Sequence, residues 1–466
     1  MVKQLTDEQK NKIKDLLHQG VESKAVAEYI GVSSRQVSAI AAHITMGSYP
    51  KKQTSENNSI SKKIQPRKSK ILSALEKNQF SKNIKFKSGI LLGKNIETGE
   101  KEFWNPFPKS GAINPHALIV GESGAGKTET IRSIVTELAQ KGINSIIFDY
   151  GQGFSLKDAP SEFLEFAHPI EIKASREGVN INPLKLFPFD INGPINVAQR
   201  VADTFQRVYS QIGVQQHSVL RQAIIDLMSD SGIRADAENT WSYDPPWFND
   251  LENQLSLYAN NPMNPQRRIA ASVASHISTV FVFNTFRKGG KKLSWKNIIE
   301  GNGRVYIIQL KGLEHSLERV VTEFLLWNMI GYIESLGPGP LRFFAVLDEA
   351  HKLAFDTGSP VEKLLREGRK FGIGSILASQ QPEDFSSVAF SNTATKLIFQ
   401  VGDEDSKISR QIYRKLSGGH SFEEIREIIT KLPRGAAYVV SENMGRIIKI
   451  RQISKRKKLW EKIKID

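Results

Sequence analysis

Ala117-Leu118-Ile119-Val120-Gly121-Glu122-Ser123-Gly124-Ala125-Gly126-Lys127-Thr128-Glu129-Thr130-Ile131-Arg132-Ser133-Ile134-Val135 runs from an apolar tetrapeptide through a glycine-rich turn into a sequence of helical period. The tetrapeptide reads as a buried strand, and the residues after Thr128 place apolar side chains on one helical face. Gly121 to Thr128 has the form G-x-x-x-x-G-K-[ST], and its strand–loop–helix setting is the context that gives the motif meaning. Glycines let the chain curl until its N–H groups converge, and the helix start adds a partial positive charge at that point. Gly121, Glu122, Ser123, Gly124, Ala125, Gly126, Lys127 and Thr128 are therefore expected to bind ATP. Lys127 would reach the β- and γ-phosphates, and the Thr128 hydroxyl would hold Mg2+.

Outward from this loop the chain reads as α/β from about residue 84. Strand-like runs recur at 89–93, 101–104, 145–149, 304–309, 343–348, 374–378 and 396–400, most of them separated by helical patterns. Apolar strands alternating with helices predict a mostly parallel sheet covered on both faces. Residues 192–285 read as a helical insertion, 437–440 with 446–450 as a hairpin, and 451–466 as a basic C-terminal tail. Residues 1–46 read as a separate small all-α unit with helix-turn-helix character. In it Val37 and Ile40 are expected to face the core and Arg35, Gln36, Ser38 and His43 a DNA groove, with a protein-binding helical module as the alternative. Residues 47–83 are Lys- and Ser-rich and read as a flexible basic linker.

The chain has 466 residues, 39% hydrophobic and 24% charged, with a formal net charge of +15. That excess favours a polyanionic partner. With no cysteine, disulfides, thiolate zinc sites and cysteine catalysis are excluded. The N-terminus lacks a signal core, and the most apolar stretch, Val320 to Gly337, is interrupted by Glu323, Asn328 and Glu334. No membrane anchor and a cytoplasmic location are the expectation.

A second nucleotide signature is Phe343-Phe344-Ala345-Val346-Leu347-Asp348-Glu349-Ala350-His351. An apolar strand here delivers two carboxylates at its C-terminal end, where open α/β sheets bind ligands. Asp348 is expected in the Mg2+ shell and Glu349 as the base for an attacking water. His351 reads as a local hydrogen bonder. Arg366, Arg369 and Lys370 supply cations before the next strand, and that strand ends in Ala378-Ser379-Gln380-Gln381-Pro382, with Gln380 placed to sense a γ-phosphate.

In this order the phosphate loop, Leu-Asp-Glu-Ala-His, Arg-Glu-Gly-Arg-Lys-Phe-Gly-Ile-Gly and Ala-Ser-Gln-Gln-Pro resemble the HerA/FtsK class of RecA-fold ATPases. Gly178-Val179-Asn180-Ile181-Asn182-Pro183-Leu184 resembles a segment of HerA and type IV secretion ATPases. The resemblance spans about residues 84–452. It implies a RecA-like P-loop NTPase fold, a homohexameric ring with double-stranded DNA in its channel, and a catalytic arginine from the neighbouring subunit. Arg369 best matches that arginine, with Arg366 second, and the sensing glutamine maps to Gln380. The function expected is a HerA-type DNA translocase or helicase motor, served by analogy by a nuclease or other effector protein. The alternatives are an ATP-switched DNA-binding regulator and a soluble conjugation or secretion motor. The chain departs from HerA in its N-terminal region, which offers a helix-turn-helix and a short hairpin in place of a β-barrel.

Overall fold

The computed structural model describes residues 89–107, 114–402, 419–441 and 444–457, together with scattered positions between 9 and 45. The chain divides into two compact units, Met1–Lys82 and Asn83–Asp466. In the first, helix α1 (Ser34–Thr45) contributes Val37 and Ile40 to a small core with Ile13, Val26 and Ala27, as the apolar spacing requires. Gln36 does not stand free in this unit. Its Oε1 accepts hydrogen bonds from the Ser33 N–H and hydroxyl. The side chains of Arg35 and His43, and the whole of the 47–83 linker, lie outside the described residues.

The second unit is organised by one eleven-stranded sheet of order β2-β1-β11-β10-β9-β3-β8-β7-β4-β6-β5. The strands are β1 Ile90–Asn95, β2 Lys101–Trp104, β3 Ala117–Val120, β4 Asn144–Asp149, β5 Ile170–Lys173, β6 Val305–Gln309, β7 Phe343–Leu347, β8 Ile373–Ser379, β9 Thr395–Ile398, β10 Ala436–Ser441 and β11 Met444–Ile450. From β9 to β5 every neighbouring pair is parallel. The remaining strands, β10, β11, β1 and β2, are added antiparallel. The two hairpins read from the sequence, β1–β2 and β10–β11, are both formed. They are joined through β1 and β11 into one antiparallel flank.

Period-2 alternation divides the core. Ala117 and Ile119 of β3 face a layer with Ile131, Ile134, Val135 and Leu138 of helix α2 (Lys127–Gln140). Leu118 and Val120 face the opposite layer. That second layer holds α3 (Pro194–Val208), α4 (Val214–Asp230), α5 (Asp250–Asn260), α6 (Arg267–Val282), α7 (His315–Ser335) and α8 (Pro360–Glu367). The helical segment expected at 192–285 is thus four helices that share one core with the sheet: Phe205, Phe248, Phe286 and Phe324 pack ring against ring. Helix α7 contains the most apolar stretch and is buried on most of its surface. Its Glu323 accepts from Arg207 of α3 at 2.8 Å. Among the described residues no helix is long and apolar enough to cross a membrane.

Candidate active site

Strand β3 ends at Val120, and the phosphate loop follows in a tight curl. Gly121, Gly124 and Gly126 have φ of 156°, 78° and 126°. At Gly126 this left-handed geometry favours glycine, and a Cβ there would lie 3.2 Å from the Phe399 ring. A Cβ on Gly121 would lie 2.5 Å from Phe399 Cβ. Phe399, one residue past β9, is therefore the surface against which the loop is moulded. The first turn of α2 leaves its N–H groups without intrahelical partners, as every helix start does, and they open into a cleft of about 490 Å³. That volume suits a nucleotide-sized ligand. Lys127 lies in the cleft wall and donates to Gly121 O at 2.5 Å and Glu122 O at 3.2 Å. Burial lowers its pKa, against the pull of Glu349 and Asp348.

The acids arrive on β7. Because β8 lies between β3 and β7, Asp348 and Glu349 reach the cleft from the strand next but one to the phosphate strand, and Gln380 reaches it from the strand between. Both acids and Gln380 line the cleft. A Cβ placed on Gly153 would sit 3.6 Å from Thr128 Oγ1 and 3.9 Å from Asp348 Oδ2, so these two oxygens flank one point. Gln380 Nε2 donates to the Glu349 carboxylate at 3.4 and 3.5 Å. Glu349 has φ 50° and ψ 50°, a left-handed conformation uncommon for a residue with a side chain. His351 is the local hydrogen bonder expected, with Nδ1 3.1 Å from Ser379 Oγ and 3.4 Å from Glu349 Oε2.

Burial pushes the Asp348 carboxyl up to about 7, and repulsion from Glu349 and Asp149 adds to it while Lys127 opposes it. Crowded carboxylates of this kind are what a divalent cation stabilises. Thr128 and Asp348 are the donors suited to Mg2+. Among the described residues no group of three or more acidic, His or Cys side chains forms a metal site. The remaining ligands would have to come from phosphate and water, as is usual for Mg2+.

Arg369 is not part of this cluster. It lies in a short turn (Gly368–Phe371) before the first residue of β8, whereas Gln380 follows the last. At about 3.3 Å rise per residue, β8 separates the two by roughly 20 Å. Arg369 is exposed, forms no ion pair among the described residues, and stands close enough to buried His116 to lower its pKa. Arg366 is engaged within α8 by Glu362 at 2.5 Å.

Sequence reasoning missed Asp149, Arg434, Gly435, Ile450 and Gln452 as contributors to the site. Asp149, at the end of β4, accepts from Gly151 N, Phe154 N and Gln309 Nε2 at 2.9 to 3.0 Å. Its signal was the same as that of Asp348, an acid closing an apolar strand. Arg434 Nε donates to Gly124 O at 3.1 Å, and the N–H of Gly435 to Ala125 O at 3.2 Å. Ile450 and Gln452 close the cleft from the C-terminal segment. Neither Arg434 nor Gln452 belongs to any pattern legible before the fold is known.

Residues 107–329 match the family described as helicase HerA, central domain. The chain is a P-loop ATPase similar to HerA. It is 24% identical over 395 residues to the DNA double-strand break repair helicase HerA of Saccharolobus solfataricus, covering 81% of this chain and 70% of that protein. It is 25% identical to the DNA import protein CedB of Sulfolobus acidocaldarius over 65% of this chain and 45% of that one. Among solved structures, VirB4 of Thermoanaerobacter pseudethanolicus matches with a TM-score of 0.62 at 19% identity, over 78% of this chain and 96% of that chain. The bacterial conjugative coupling protein TrwB matches with a TM-score of 0.52 at 15% identity, over 78% and 88% respectively. At such identities these two establish the fold.

Proposed function

We propose that this ATPase is a DNA translocase: it hydrolyses Mg-ATP in the cleft above α2 and uses the cycle to move duplex DNA. The observation that carries the reading is the convergence of Lys127 and Thr128 with Asp348, Glu349 and Gln380 from three different strands. A nucleotide-binding switch needs only the first two. The second acid, held by a glutamine, is what turnover needs.

The chemistry follows from the residues. Loop N–H groups and Lys127 bind and orient the phosphates. Magnesium, held by Thr128 and Asp348, would neutralise charge on the β- and γ-oxygens. Glu349 accepts the proton of the attacking water at its carboxylate. Gln380 donates to that carboxylate and would sense a γ-phosphate oxygen. Charge that develops on the transferring group calls for a further cation, and Arg369 is too far along β8 to serve its own cleft. Supplied to a neighbouring copy, it would make a ring the active form, and a homohexamer is the assembly proposed. Support for DNA as the cargo comes from the relatives named for DNA repair and DNA import, and from the net charge of +15. The 1–46 unit would recruit DNA or an effector protein such as a nuclease.

The test is ATP turnover by the full chain with and without a mixed-sequence duplex. Stimulation by duplex is expected, and Glu349→Gln should bind nucleotide with turnover reduced at least about a hundredfold, the scale of a lost general base. Turnover indifferent to DNA would favour the regulator reading, and a fully active Glu349→Gln would remove the base assignment.

A further inference from the structure

The strands at the far end of the parallel run carry a feature the nucleotide site does not use. Lys173 ends β5, opposite Gln309 at the end of β6, and Lys311 follows two residues later. Across from them the segment Arg287-Lys288-Gly289-Gly290-Lys291-Lys292 folds back on Gly178-Val179-Asn180. Val179 N donates to Thr285 O at 2.7 Å, Arg287 N to Val179 O at 3.2 Å, Asn180 N to Lys291 O at 3.1 Å and Lys291 N to Gly178 O at 3.0 Å. Side chains lock the same fold: Asn180 Nδ2 donates to Lys288 O at 2.5 Å, and Arg287 Nη2 to Arg176 O at 2.8 Å. A Cβ on Gly178, where φ is +61°, would come within 3.0 Å of Thr285 O, which gives a physical reason for the glycine that opens the Gly178–Leu184 segment. The loop is therefore held as a rigid shelf.

What the shelf presents is positive charge. Lys173, Arg176, Lys288, Lys291 and Lys311 are exposed. Two acids lie among them, Glu171 at 3.6 Å from Lys173 Nζ and Glu177 at 4.0 Å from Lys291 Nζ. Arg176, Lys288 and Lys311 have no ion pair among the described residues. Gly290 is required by the close packing on Gly178 and Val179, and Gly289 beside it faces open space; lysines fixed on such a hydrogen-bonded backbone fit a row of phosphates.

This edge is also wired to the ATP cleft. Lys311 Nζ donates to Gln152 Oε1 at 3.2 Å. Gln152 has φ 69° and sits in the turn whose next residue, Gly153, packs between Thr128 and Asp348. Arg132 Nη2 holds Gly153 O at 2.5 Å, and Asp149 anchors both ends of the turn through Gly151 N and Phe154 N.

We propose that the basic edge formed by Lys173, Arg176, Lys288, Lys291 and Lys311 binds the phosphate backbone of duplex DNA, and that the Gly151–Gly153 turn couples its occupancy to the γ-phosphate end of the cleft. The proposal deepens the translocase reading and rests on it. The experiment measures binding of a fluorescent mixed-sequence duplex to the full chain across a salt series, for the natural sequence, the Lys288→Ala/Lys291→Ala double variant and Lys311→Ala. Each phosphate contact contributes about 0.9 to the log–log salt slope. The double variant should therefore lose about 1.8 of slope at an unchanged melting temperature. Lys311→Ala should lose DNA stimulation of ATP turnover even when saturated with duplex. A double variant with the natural slope overturns the surface while leaving the translocase reading intact. A Lys311→Ala variant stimulated normally at saturation overturns the coupling. A natural chain that ignores duplex DNA overturns the translocase reading, and the surface with it.

Discussion

Replacing Arg456 by alanine tests how the cleft is closed. The start of the tail, read from sequence as a basic run, is packed: the Arg456 side chain is 1% exposed and meets Glu137 of α2 at 2.7 Å. It also donates from Nε to Arg451 O at 3.0 Å and from Nη2 to Leu92 O at 3.2 Å. Glu137 in turn accepts from Leu91 N at 2.9 Å. One guanidinium thus ties the phosphate-loop helix, β1 and the C-terminal segment together. Removing one partner of a buried pair costs about 3–5 kcal/mol, because the other charge stays behind without its counterion. For a unit of nearly four hundred residues, the unfolding entropy is roughly 0.8 kcal/mol/K. A loss of about 4 kcal/mol then lowers the melting temperature by about 5 °C. The same change loosens the segment whose Ile453 N–H is held by Glu129 at 2.6 Å and whose Ile450 and Gln452 line the cleft. Nucleotide affinity should fall with stability. Thermal melting followed by circular dichroism, with and without ADP, reads both. Glu137→Leu combined with Arg456→Met should recover most of the loss, since an apolar pair leaves no charge to strand. Melting of Arg456→Ala within about 1 °C of the natural protein, in the same assay, would refute this account of the clasp.

Two further outcomes follow. If the proposed ring forms, Arg369→Ala should abolish turnover in a uniform assembly yet regain part of it when mixed with Lys127→Ala subunits, because each variant would damage a different side of the shared site. Mixing experiments without any recovery would remove the role in trans. His116, fully buried beside Arg369 with neither ring nitrogen hydrogen-bonded, has its pKa lowered by burial to about 4 from 6.5. A histidine depressed in the fold binds fewer protons than in the unfolded chain. Its contribution is therefore whole above pH 6.5 and fades as the pH falls towards 4, a loss of about 3 kcal/mol. His116→Phe should show a shallower acid loss in urea melts at pH 4.5 and 7.5. An equal slope would mean the ring is solvated.

Much of the fold was legible because its signals are local. The parallel strands are short apolar runs, the phosphate loop has fixed spacing, and Asp348 and Glu349 close an uninterrupted apolar strand. β5 escaped notice because Ile170-Glu171-Ile172-Lys173 alternates at a sheet edge and lacks the continuous apolar run of a buried strand. What could not be read was anything that depends on residues distant in the chain. Arg434 meets Gly124 only because β10 joins the sheet beside β9. The packing of residues 451–457 depends on two acids of α2, Glu129 and Glu137. The insertion's union with the main core depends on aromatic contacts between α3, α7 and the loops around Phe248 and Phe286. Arg369 was legible as a cation of the right neighbourhood, and only the sheet's direction shows that it stands at the end opposite the cleft.

The left-handed backbone at Glu349 has a consequence for anyone redesigning this chain. Glycine or asparagine would relax that position by something on the order of 1 kcal/mol, so a procedure that ranks substitutions by folding energy alone will choose one of them. It would thereby delete the carboxylate proposed as the proton acceptor. On the proposed role, the residue is a place where robustness and turnover pull in opposite directions, and a thermostabilised version of this protein should be screened with position 349 held fixed.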